Sequence, residues 1–376
     1  MEKIKVLETI RQGSVGGGES HVLDLVGGLN KELFDPVVLS FTEGPMVDRL
    51  QEMGIKTHVI STLKPFDFRV FGQVKKLMKQ EGIQLLHAHG TRACSNTYYP
   101  AKQLNIPLIY TVHGWSFHDN QKEWIRRIRI LGERLLVKRA AVTVCVSDSN
   151  LKEGSNYFEF NKSTVIKNGI NQVRFNPEKS FKDVRAELGV GKEEVLVGFI
   201  ARVTLQKNPL LLIRAFAKIA GTHPIKLLIV GDGDLKKDAV DLAAALKVED
   251  KIIFQPFRQD IPDLLNAIDI YCLPSLWEGL SIALLEAMGM RKAIVATPVN
   301  GTKEVITHMK NGILVPVNDV DALADAFVQL ANDPSLRSQI AQQAYETLSQ
   351  EFNTQTMVHK IEDLYTQVST NHSNKK

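Results

Sequence analysis

Thirteen short β-branched runs, separated by helical stretches, constrain the fold of this chain more than any other feature. Most of them are continuously apolar, which is typical of parallel strands buried on both faces. The first half of the chain carries the runs Ile4–Leu7, Val37–Phe41, His58–Ile60, Leu85–His87, Leu108–Val112, Ala141–Val146 and Thr164–Ile166. The second half carries the runs Val195–Ile200, Lys226–Val230, Ile252–Phe254, Ile270–Leu273, Ala293–Ala296 and Ile313–Val315. This alternation predicts an α/β protein built from βαβ units.

Turn residues and charge interrupt the apolar rhythm between the two groups of runs. The break starts with Asn-Gly-Ile-Asn at residues 168–171 and continues through the polar stretch 176–194. We therefore predict two Rossmann-like doubly wound domains over residues 1–172 and 173–352, with a C-terminal helix over 353–370 that crosses back to the first domain. A ligand is expected in a cleft that faces the carboxyl ends of both sheets.

Composition excludes several classes of protein. Hydrophobic residues make up 44% of the 376 residues, and the net charge of +4 is too small for a dedicated nucleic-acid binder. The three cysteines are far apart, which predicts neither a disulfide framework nor a metal cluster and fits a reducing cytosol. We see no signal peptide and no uninterrupted run of about 18 apolar residues. A cytoplasmic, globular protein is expected.

A glycine-rich turn, Gly16-Gly17-Gly18-Glu19, follows the first predicted strand and opens a helix predicted from about Ser20 to Leu29. Glycines at a helix N-terminus let backbone N–H groups approach an anion, and the helix dipole adds to the attraction. A dinucleotide fingerprint needs a further glycine where this chain has His21, so that pattern fails. The alternative is a flexible turn between strand and helix.

Two cations, Arg202 and Lys207, follow the predicted strand Val195–Ile200, and Pro209 opens the next helix. Arginine offers a planar fork of donors and lysine a mobile point charge, so the pair suits a pyrophosphate. The alternative is that both side chains are solvated loop cations. Their position at the end of a predicted strand favours the binding role.

An Asp-x-Asp pattern, Asp232 and Asp234, alternates with Gly231 and Gly233 after the next predicted strand. Such a spacing could hold a divalent cation through carboxylate oxygens. A turn in which aspartate caps the following helix explains the pattern equally well, and we favour the turn. No metal site is therefore expected.

Two carboxylates, Glu278 and Glu286, lie on either side of the start of a helix that begins near Ser281. They suit hydrogen bonds from ligand hydroxyls, while Gly279, Leu280 and Ser281 can offer backbone N–H groups to phosphate or sugar oxygens. Balance of the helix dipole could account for one glutamate. It hardly explains a carboxylate inside an otherwise apolar helix.

His113 follows the predicted strand Leu108–Val112, so its side chain is expected to point into the cleft. It could take part in catalysis, although a lone loop histidine is often structural. His87 is expected to be packed, and His89 and His118 are weaker cleft candidates. No two of these histidines have the helical spacing of a zinc site.

Residues 122–139 predict a basic amphipathic helix. The segment carries seven basic and two acidic residues, and one side of the helix collects Trp124, Ile128, Leu131 and Leu135. Such a helix can lie on an anionic membrane surface, which would place the protein at the cytoplasmic face of a membrane. The alternative is a helix whose apolar side packs on the core and whose cations are solvated.

Together these motifs resemble the family 4 retaining glycosyltransferases, also called glycosyl transferases group 1. The resemblance covers nearly the whole chain in order, and the spacing of Glu278 and Glu286 is its most specific part. It also includes the segments Thr111-Val112-His113-Gly114, Asn168-Gly169-Ile170, Gly301 with Glu304, and Asn311-Gly312-Ile313-Leu314-Val315. Gly18 stands where many members have alanine, and Asn208 stands where members commonly have glycine.

The resemblance implies a GT-B fold, with two Rossmann-like domains facing across a cleft and the nucleotide-sugar donor bound mainly by the second. It implies transfer of a sugar, with retention, to a glycan or lipid-linked acceptor in polysaccharide or glycoconjugate biosynthesis. Neither a metal nor another cofactor is implied. Family frequency favours a UDP-sugar over GDP-mannose as the donor.

The resemblance also implies a role for each matched residue. Arg202 and Lys207 would clamp the donor diphosphate and stabilise the charge that develops on it. Glu286 would hold the ribose, Glu278 would contact the sugar hydroxyls, and His113 would reach the sugar from the acceptor side. The donor-binding set would be completed by Gly16, Gly17, Gly233, Gly279, Leu280 and Ser281.

Two other functions stay open from the sequence. A sugar-nucleotide epimerase on the same scaffold would bind the nucleotide similarly and need no acceptor. A non-catalytic protein that binds nucleotide-sugars is the second alternative. The intact cation pair and both carboxylates argue against it, because such a protein could lose them freely.

Overall fold

The computed structural model of this protein describes residues 3–13, 16–119 and 121–374, without the side chains of 349–351. The chain folds into two compact units. Unit 1 extends to Gly169 and includes the segment from Thr354 onward, and unit 2 covers Ile170–Asn353. The sequence predicts a domain boundary near residue 172, and the structure divides the chain after Gly169. The C-terminal helix belongs to unit 1.

Unit 1 is built on one parallel sheet. Its described strands are β1 (Ile4–Ile10), β2 (Phe34–Ser40), β3 (Lys56–Val59), β4 (Leu85–His89), β5 (Leu108–Val112), β6 (Val142–Cys145) and β7 (Ser163–Val165). They lie in the order β3-β2-β1-β4-β5-β6-β7. The register places the last residue of β1, Ile10, opposite Ser40 of β2 and His89 of β4. The carboxyl ends of these three strands therefore lie together.

Helices connect the strands of unit 1. The described ones are α1 (Gly17–Gly28), α2 (Pro45–Glu52), α3 (Phe71–Glu81), α4 (Thr91–Gln103), α5 (Glu123–Arg139) and α6 (Asp148–Ser155). Helix α6 begins after Ser147, whose side chain accepts a hydrogen bond from the backbone N–H of Asn150. This N-cap satisfies a donor that the helix itself leaves unpaired.

Unit 2 is built on a second parallel sheet. Its described strands are β8 (Val195–Ile200), β9 (Ile225–Val230), β10 (Ile252–Gln255), β11 (Ile270–Leu273), β12 (Ala293–Ala296) and β13 (Ile313–Leu314). They lie in the order β10-β9-β8-β11-β12-β13. The described helices are α7 (Val184–Glu187), α8 (Pro209–Ile219), α9 (Lys236–Ala245), α10 (Ile261–Ala267), α11 (Ile282–Gly289), α12 (Thr302–Val305), α13 (Val320–Asn332) and α14 (Pro334–Glu351).

The α/β prediction with two parallel sheets is confirmed, and each predicted run overlaps a strand. Boundaries differ at β2, which starts at Phe34, three residues before the predicted run. Pro36 lies inside this strand and is tolerated there, because β3 pairs with β2 only from Val37 onward. The missing N–H of Pro36 therefore breaks no bond to β3, and proline is tolerated where a strand has a free edge.

The last helix, α15 (Thr354–Ser373), supplies part of the hydrophobic core of unit 1. Its apolar face recurs at helical spacing and packs with buried residues of β1, β2, β4, β5, β6 and α1; that face consists of Met357, Val358, Ile361, Leu364, Tyr365 and Val368. Gly28 at the end of α1 permits close approach, because a Cβ there would lie 3.0 Å from Cγ2 of Val358.

We expect Ile361→Ala to lower the free energy of unfolding of unit 1 by about 2–5 kcal/mol, because truncation of a buried isoleucine leaves a cavity. Chemical denaturation, followed by tryptophan fluorescence to which the buried Trp115 of unit 1 contributes, measures the change. Lys360→Ala on the exposed side of the same helix is the control and should change stability by less than about 0.5 kcal/mol. Equal stabilities of the two variants would contradict the packing of α15.

Candidate functional site

The strand order of unit 2 reverses between β8 and β11. Strands β9 and β10 extend the sheet on one side, and β12 and β13 extend it on the other. Loops that leave the carboxyl ends of β8 and β11 therefore start at a topological switch point, where open α/β sheets bind ligands. The loop after β8 carries Arg202 and Lys207, and the loop after β11 carries Glu278.

Lys207 and Glu278 form a buried ion pair. Nζ of Lys207 donates to Oε1 of Glu278 at 2.5 Å, and the hydroxyl of Ser275 donates to the same oxygen at 2.6 Å. Lys207 is only 9% exposed and Glu278 only 7%. Burial of single charges is costly, so each of these groups depends on the other to stay in place. An ammonium has three donors, so Lys207 can still donate to a ligand.

Arg202 is tied to the same pair of loops through Gln206. Nη2 of Arg202 donates to Oε1 of Gln206 at 3.4 Å, and Nε2 of Gln206 donates to the carbonyl of Trp277 at 2.9 Å. The backbone carbonyl of Gln206 also accepts from the N–H of Leu276 at 2.8 Å. The two cations and Glu278 are therefore brought together by contacts that join the loops after β8 and β11.

Asn208 turns the chain from Lys207 into α8. Its φ of +53° lies in the left-handed region, which asparagine tolerates better than most residues. Family members commonly carry glycine at this place, and the positive φ explains why asparagine can replace it. Pro209 then occupies the first position of α8, where its missing N–H breaks no helical bond.

Two glycines hold the loops around this site close together. A Cβ at Gly233 would lie 2.3 Å from the carbonyl oxygen of Val203, and a Cβ at Gly301 would lie 1.8 Å from that of Gly279. No side chain fits at such distances, so both positions need glycine. Leu280, beside Gly279, is buried. The donor-binding roles of Gly233, Gly279 and Leu280 stay predictions.

Ser281 caps α11, since its hydroxyl oxygen accepts from the N–H of Leu284 at 3.4 Å. Glu286 lies further along this helix and is half-buried. Burial raises the pKa of Tyr271 well above its usual value, and the charges of Glu286 and Glu278 raise it further. Both carboxylates therefore act on the same buried phenol of β11, which places them in one neighbourhood of unit 2.

The contacts of Asp232 agree with the predicted turn, but no aspartate of the described segment 121–374 caps the following helix, because α9 begins after Leu235 without a side-chain cap. Oδ2 of Asp232 accepts a hydrogen bond from the backbone N–H of Phe257 at 3.0 Å. Gly231 has a φ of +136°, which a turn at this point requires of a glycine. Among the described residues of unit 2, no group of three potential metal ligands comes together.

In unit 1 the strand order reverses between β1 and β4, and a cluster of titratable side chains lies there. Glu8 comes from β1, His87 and His89 come from β4, His21 lies on α1, and His113 follows β5. The rings are in contact, with centroids 4.1 Å apart for His87 and His89, 5.3 Å for His21 and His89, and 4.8 Å for His21 and His113.

Hydrogen bonds connect Glu8 to the histidines of this group of five residues, which we call the histidine cluster. Nε2 of His89 lies 2.9 Å from Oε2 of Glu8, and Nδ1 of His87 lies 3.2 Å from the same oxygen. The hydroxyl of Tyr365 donates to Oε1 of Glu8 at 2.5 Å. On its other side, Nδ1 of His89 lies 3.2 Å from Nε2 of His113. A chain of hydrogen bonds therefore runs from Tyr365 of α15 through Glu8 and His89 to His113.

Burial and neighbouring charges set the protonation of the cluster. Burial lowers the pKa of His21 and of His113 well below the usual value, and burial with the charge of His87 lowers the pKa of His89 to about 4. Burial alone would raise the pKa of Glu8, but the charge of His87 and the hydrogen bonds from His87 and His89 hold it well below its usual range. At neutral pH Glu8 is ionised, and His21, His89 and His113 are neutral.

By composition the histidine cluster could hold a metal ion. Ligand atoms of His21, His89 and His113 lie within 4.8 Å of one another, and so do those of Glu8, His87 and His89. Sequence reasoning missed both groups because their members come from separate elements and show no helical spacing. The expectation that the protein needs no metal stays a prediction.

Glu8 and His21 are the cluster members that the sequence reasoning missed, whereas His89, predicted as a weaker cleft candidate, belongs to the cluster. A signal was available for Glu8, a charged residue that interrupts an otherwise apolar strand, and for His21, which replaces a glycine of the dinucleotide pattern. His87 is packed as expected, with Nε2 2.7 Å from the hydroxyl of Thr111. His118 lies outside the cluster, half-buried near Arg129, and burial with that charge lowers its pKa.

Helix α1 starts earlier than predicted, because Gly16 is its N-cap and Gly17 its first residue. The carboxylate of Glu19 lies against this end, and a Cβ at Gly16 would lie 2.7 Å from its Oε2. A Cβ at Gly18 would lie 3.6 Å from Cδ2 of His113, an ordinary contact, so the alanine of many family members would also fit. Anion binding by Gly16 and Gly17 stays a prediction.

Helix α5 confirms the helix predicted over 122–139 but not the packing of its apolar side on the core. Trp124 is 63% exposed, and Ile128 and Leu131 are each 59% exposed. The opposite face is buried and includes Glu133, which accepts hydrogen bonds from the hydroxyls of Tyr110 and Thr91. No helix in the described part of the chain is long and apolar enough to cross a membrane.

Comparison with known families covers both units. The model of the glycosyltransferase family 4 matches residues 15–174, and the model of the glycosyl transferases group 1 matches residues 180–347. The two matches adjoin each other and leave only short segments uncovered. They contain the loops after β8 and β11 in unit 2 and the histidine residues of the cluster in unit 1.

Named relatives match over most of their length. An Escherichia coli UDP-Gal:alpha-D-GlcNAc-diphosphoundecaprenol alpha-1,3-galactosyltransferase is 26% identical over 98% of both chains. A Bacillus anthracis N-acetyl-alpha-D-glucosaminyl L-malate synthase is 26% identical over 86% of this chain and 85% of its own. These identities extend across both units of the chain.

Solved structures share the fold. Anabaena HepE in complex with UDP-glucose superposes with a TM-score of 0.87, at 23% identity, over 97% of this chain and all of its own. A sucrose-phosphate synthase from Thermosynechococcus elongatus gives a TM-score of 0.82 at 19% identity, over 98% of this chain and all of its own. The chain therefore belongs to the glycosyl transferases group 1, glycosyltransferase family 4, and is a glycosyltransferase with the GT-B fold.

Proposed function

We propose that this enzyme moves a sugar from a UDP-sugar to a glycan or lipid-linked acceptor, with retention of configuration and without a metal ion. Its place would be the biosynthesis of a polysaccharide or glycoconjugate. The observation that carries the proposal is the buried Lys207–Glu278 pair beside Arg202, at the switch point of the unit 2 sheet. The epimerase and the non-catalytic alternatives are set aside, because the chain is a glycosyltransferase.

The cations of unit 2 supply what the leaving group needs. When the bond between the sugar and the diphosphate breaks, negative charge develops on the diphosphate. Arg202 can offer a planar fork to its oxygens, and Lys207 can donate from the N–H groups that Glu278 does not use. Donors fixed in advance and partly desolvated typically contribute several kcal/mol to such a step. Two fixed cations can therefore replace a metal ion in this role.

Other matched residues are assigned to the rest of the donor. Glu278, with a second carboxylate oxygen besides the one that pairs with Lys207, contacts the sugar hydroxyls, and Glu286 holds the ribose. Backbone groups complete the binding of the donor, from Gly16, Gly17, Gly233, Gly279, Leu280 and Ser281. His113 of unit 1 contacts the transferred sugar. Each role is assigned because the residue matches a position of the family and because it is buried or lies at the end of a strand.

The donor and the acceptor are inferred from relatives and from α5. The E. coli relative is named for UDP-Gal and for a diphosphoundecaprenol acceptor, and the HepE structure contains UDP-glucose. The apolar stripe of α5, with exposed cations such as Arg127, Arg134 and Lys138 on the same helix, suits an anionic lipid surface. A lipid-linked acceptor would reside at such a surface.

Transfer is expected from a UDP-sugar and not from GDP-mannose. A panel of sugar nucleotides, incubated with lipid-linked acceptors and followed by mass spectrometry and NMR of the product, should show the anomeric configuration of the donor retained. EDTA should leave the rate unchanged. Loss of activity that Mg²⁺ restores would refute metal independence, and conversion of the sugar nucleotide without an acceptor would instead indicate an epimerase.

Lys207→Ala is expected to lower kcat by about a hundredfold or more, because the leaving diphosphate loses a fixed cation. Since this change leaves the Glu278 carboxylate unpaired, Lys207→Gln, which can still donate to it, should be assayed in parallel and show a similar loss. Lys218→Ala removes an equal charge from the exposed side of α8 and is the control. Near-normal turnover of Lys207→Gln would contradict the assigned role.

Binding of α5 to anionic membranes is expected to depend on its exposed apolar stripe. The protein should float with phosphatidylglycerol vesicles at low salt and not with phosphatidylcholine vesicles, because the helix needs both apolar insertion and charge attraction. The double variant Ile128→Asp with Leu131→Asp should lose flotation, while Leu33→Asp, at another exposed apolar position of unit 1, should retain it. Wild-type protein that stays unbound at low salt would contradict the membrane contact.

A further inference from the structure

Four members of the histidine cluster, Glu8, His21, His87 and His89, have no part in the function proposed above, and two of them, Glu8 and His89, are linked by hydrogen bonds to His113. His113 is half-buried and was given the contact with the sugar, whereas Glu8 and His89 are fully enclosed by the fold. A carboxylate and an imidazole buried together lose hydration that an apolar pair would not lose. Glu8 contacts His89 and His89 contacts His113, so the buried carboxylate acts on the His113 ring through His89.

His89 and His113 meet edge to edge. Nδ1 of His89 lies 3.2 Å from Nε2 of His113, the ring centroids are 5.4 Å apart, and the ring planes differ by 23°. These values place both nitrogens close to the line that joins the two ring centres. That is the geometry of an N–H···N hydrogen bond. A tetrahedral metal ion would lie off this line, so the arrangement favours a shared proton over a shared ion.

The charge of Glu8 decides which nitrogen of each ring carries a proton. An ionised carboxylate only accepts hydrogen bonds, so Nε2 of His89 must donate to it. A neutral His89 then has a bare Nδ1, which accepts the proton between the rings from Nε2 of His113. Because His113 is neutral as well, its Nδ1 is left as an acceptor. The low pKa values of both histidines agree with these neutral states.

Further contacts fix the position of the His113 ring. His21 packs on it at 74° with a centroid distance of 4.8 Å. His21 is itself held by Asn168, whose Oδ1 lies 3.1 Å from its Nδ1. Nδ1 of His113 has no hydrogen-bond partner among residues 3–13, 16–119 and 121–374, so this acceptor is available to a ligand.

We propose that Glu8 and His89 are positioning residues, which hold His113 in the Nε2–H tautomer and present its Nδ1 as an acceptor to a hydroxyl group of the transferred sugar. The inference rests on the proposed function, in which His113 contacts that sugar. The sugar hydroxyl donates a hydrogen bond to Nδ1, and no proton is transferred. The opposite tautomer would direct an N–H at the sugar and favour a different orientation of the hydroxyl.

The tautomer of His113 can be measured directly. Protein labelled with 15N-histidine shows in long-range 1H–15N spectra which ring nitrogen carries the proton, and His113→Gln identifies the signal. We expect the proton of His113 on Nε2 and that of His89 on Nε2 at neutral pH. A wild-type His113 with its proton on Nδ1 would overturn the proposal without any further variant.

Glu8→Gln tests the dependence on the carboxylate. The amide of glutamine can donate to Nε2 of His89, which reverses the proton positions of both histidines. We expect kcat to fall at least about tenfold while KM for the UDP-sugar changes little, because the diphosphate contacts lie in unit 2. Glu8→Asp retains the carboxylate and should restore the Nε2–H tautomer and part of kcat.

The control is Glu133→Gln, because Glu133 is an equally buried carboxylate of unit 1 that accepts from Tyr110 and Thr91 instead of from the cluster. It should leave the His113 tautomer and kcat unchanged. Normal kcat in a folded Glu8→Gln variant, with His113→Ala inactive, would overturn the positioning role alone. Normal turnover of His113→Ala would contradict the contact of His113 with the sugar, and so the proposed function at this residue.

Discussion

Parallel pairing of the strands is the constraint on which the functional parts of this enzyme depend. In a parallel sheet all carboxyl ends lie at one edge, so loops that are far apart in sequence emerge side by side. In unit 2 this brings Arg202 and Lys207, after β8, to Glu278, after β11. In unit 1 it brings Glu8, in β1, to His89, at the end of β4.

Each sheet places its functional groups where the strand order reverses. There the helices on the two sides diverge, and the loops between them are not covered by a neighbouring crossover. Glycines without room for a Cβ, such as Gly233 and Gly301, let these loops approach one another. Close backbone packing at these glycines therefore keeps together the loops that surround the charged side chains.

Buried charges are balanced locally in both units. The carboxylate of Glu278 is matched by the ammonium of Lys207, and the carboxylate of Glu8 is surrounded by hydrogen-bond donors from Tyr365, His87 and His89. Without these partners either charge would be strongly disfavoured inside the protein. The Glu8 cluster also depends on α15, because Tyr365 belongs to the last helix of the chain. Folding of unit 1 around its own C-terminal helix therefore completes the surroundings of His113.

Local patterns in the sequence are enough to predict the fold class, the strands and the family. Continuous apolar runs report strands buried on both faces, and the spacing of Glu278 and Glu286 reports the family, because both signals are local. The spacing of apolar residues likewise predicts helix α5 from the sequence, but it does not predict that these apolar residues are exposed. The apolar side of such a helix can face the core or the solvent, and the exposure of Trp124 and Ile128, with Glu133 buried on the opposite side, shows that it faces the solvent.

Which side chains act together depends on contacts between elements that are distant in sequence, and these are visible in the folded chain alone. The pairing of Lys207 with Glu278 joins residues more than seventy positions apart, and the pairing of Tyr365 with Glu8 spans nearly the whole chain. No local pattern encodes such contacts, since they arise from the order and register of the strands. The proton positions on His89 and His113 likewise depend on the buried charge of Glu8. The surroundings of Glu8 come from three separate elements, β1, β4 and α15, so they cannot be deduced from the sequence of any one of these elements.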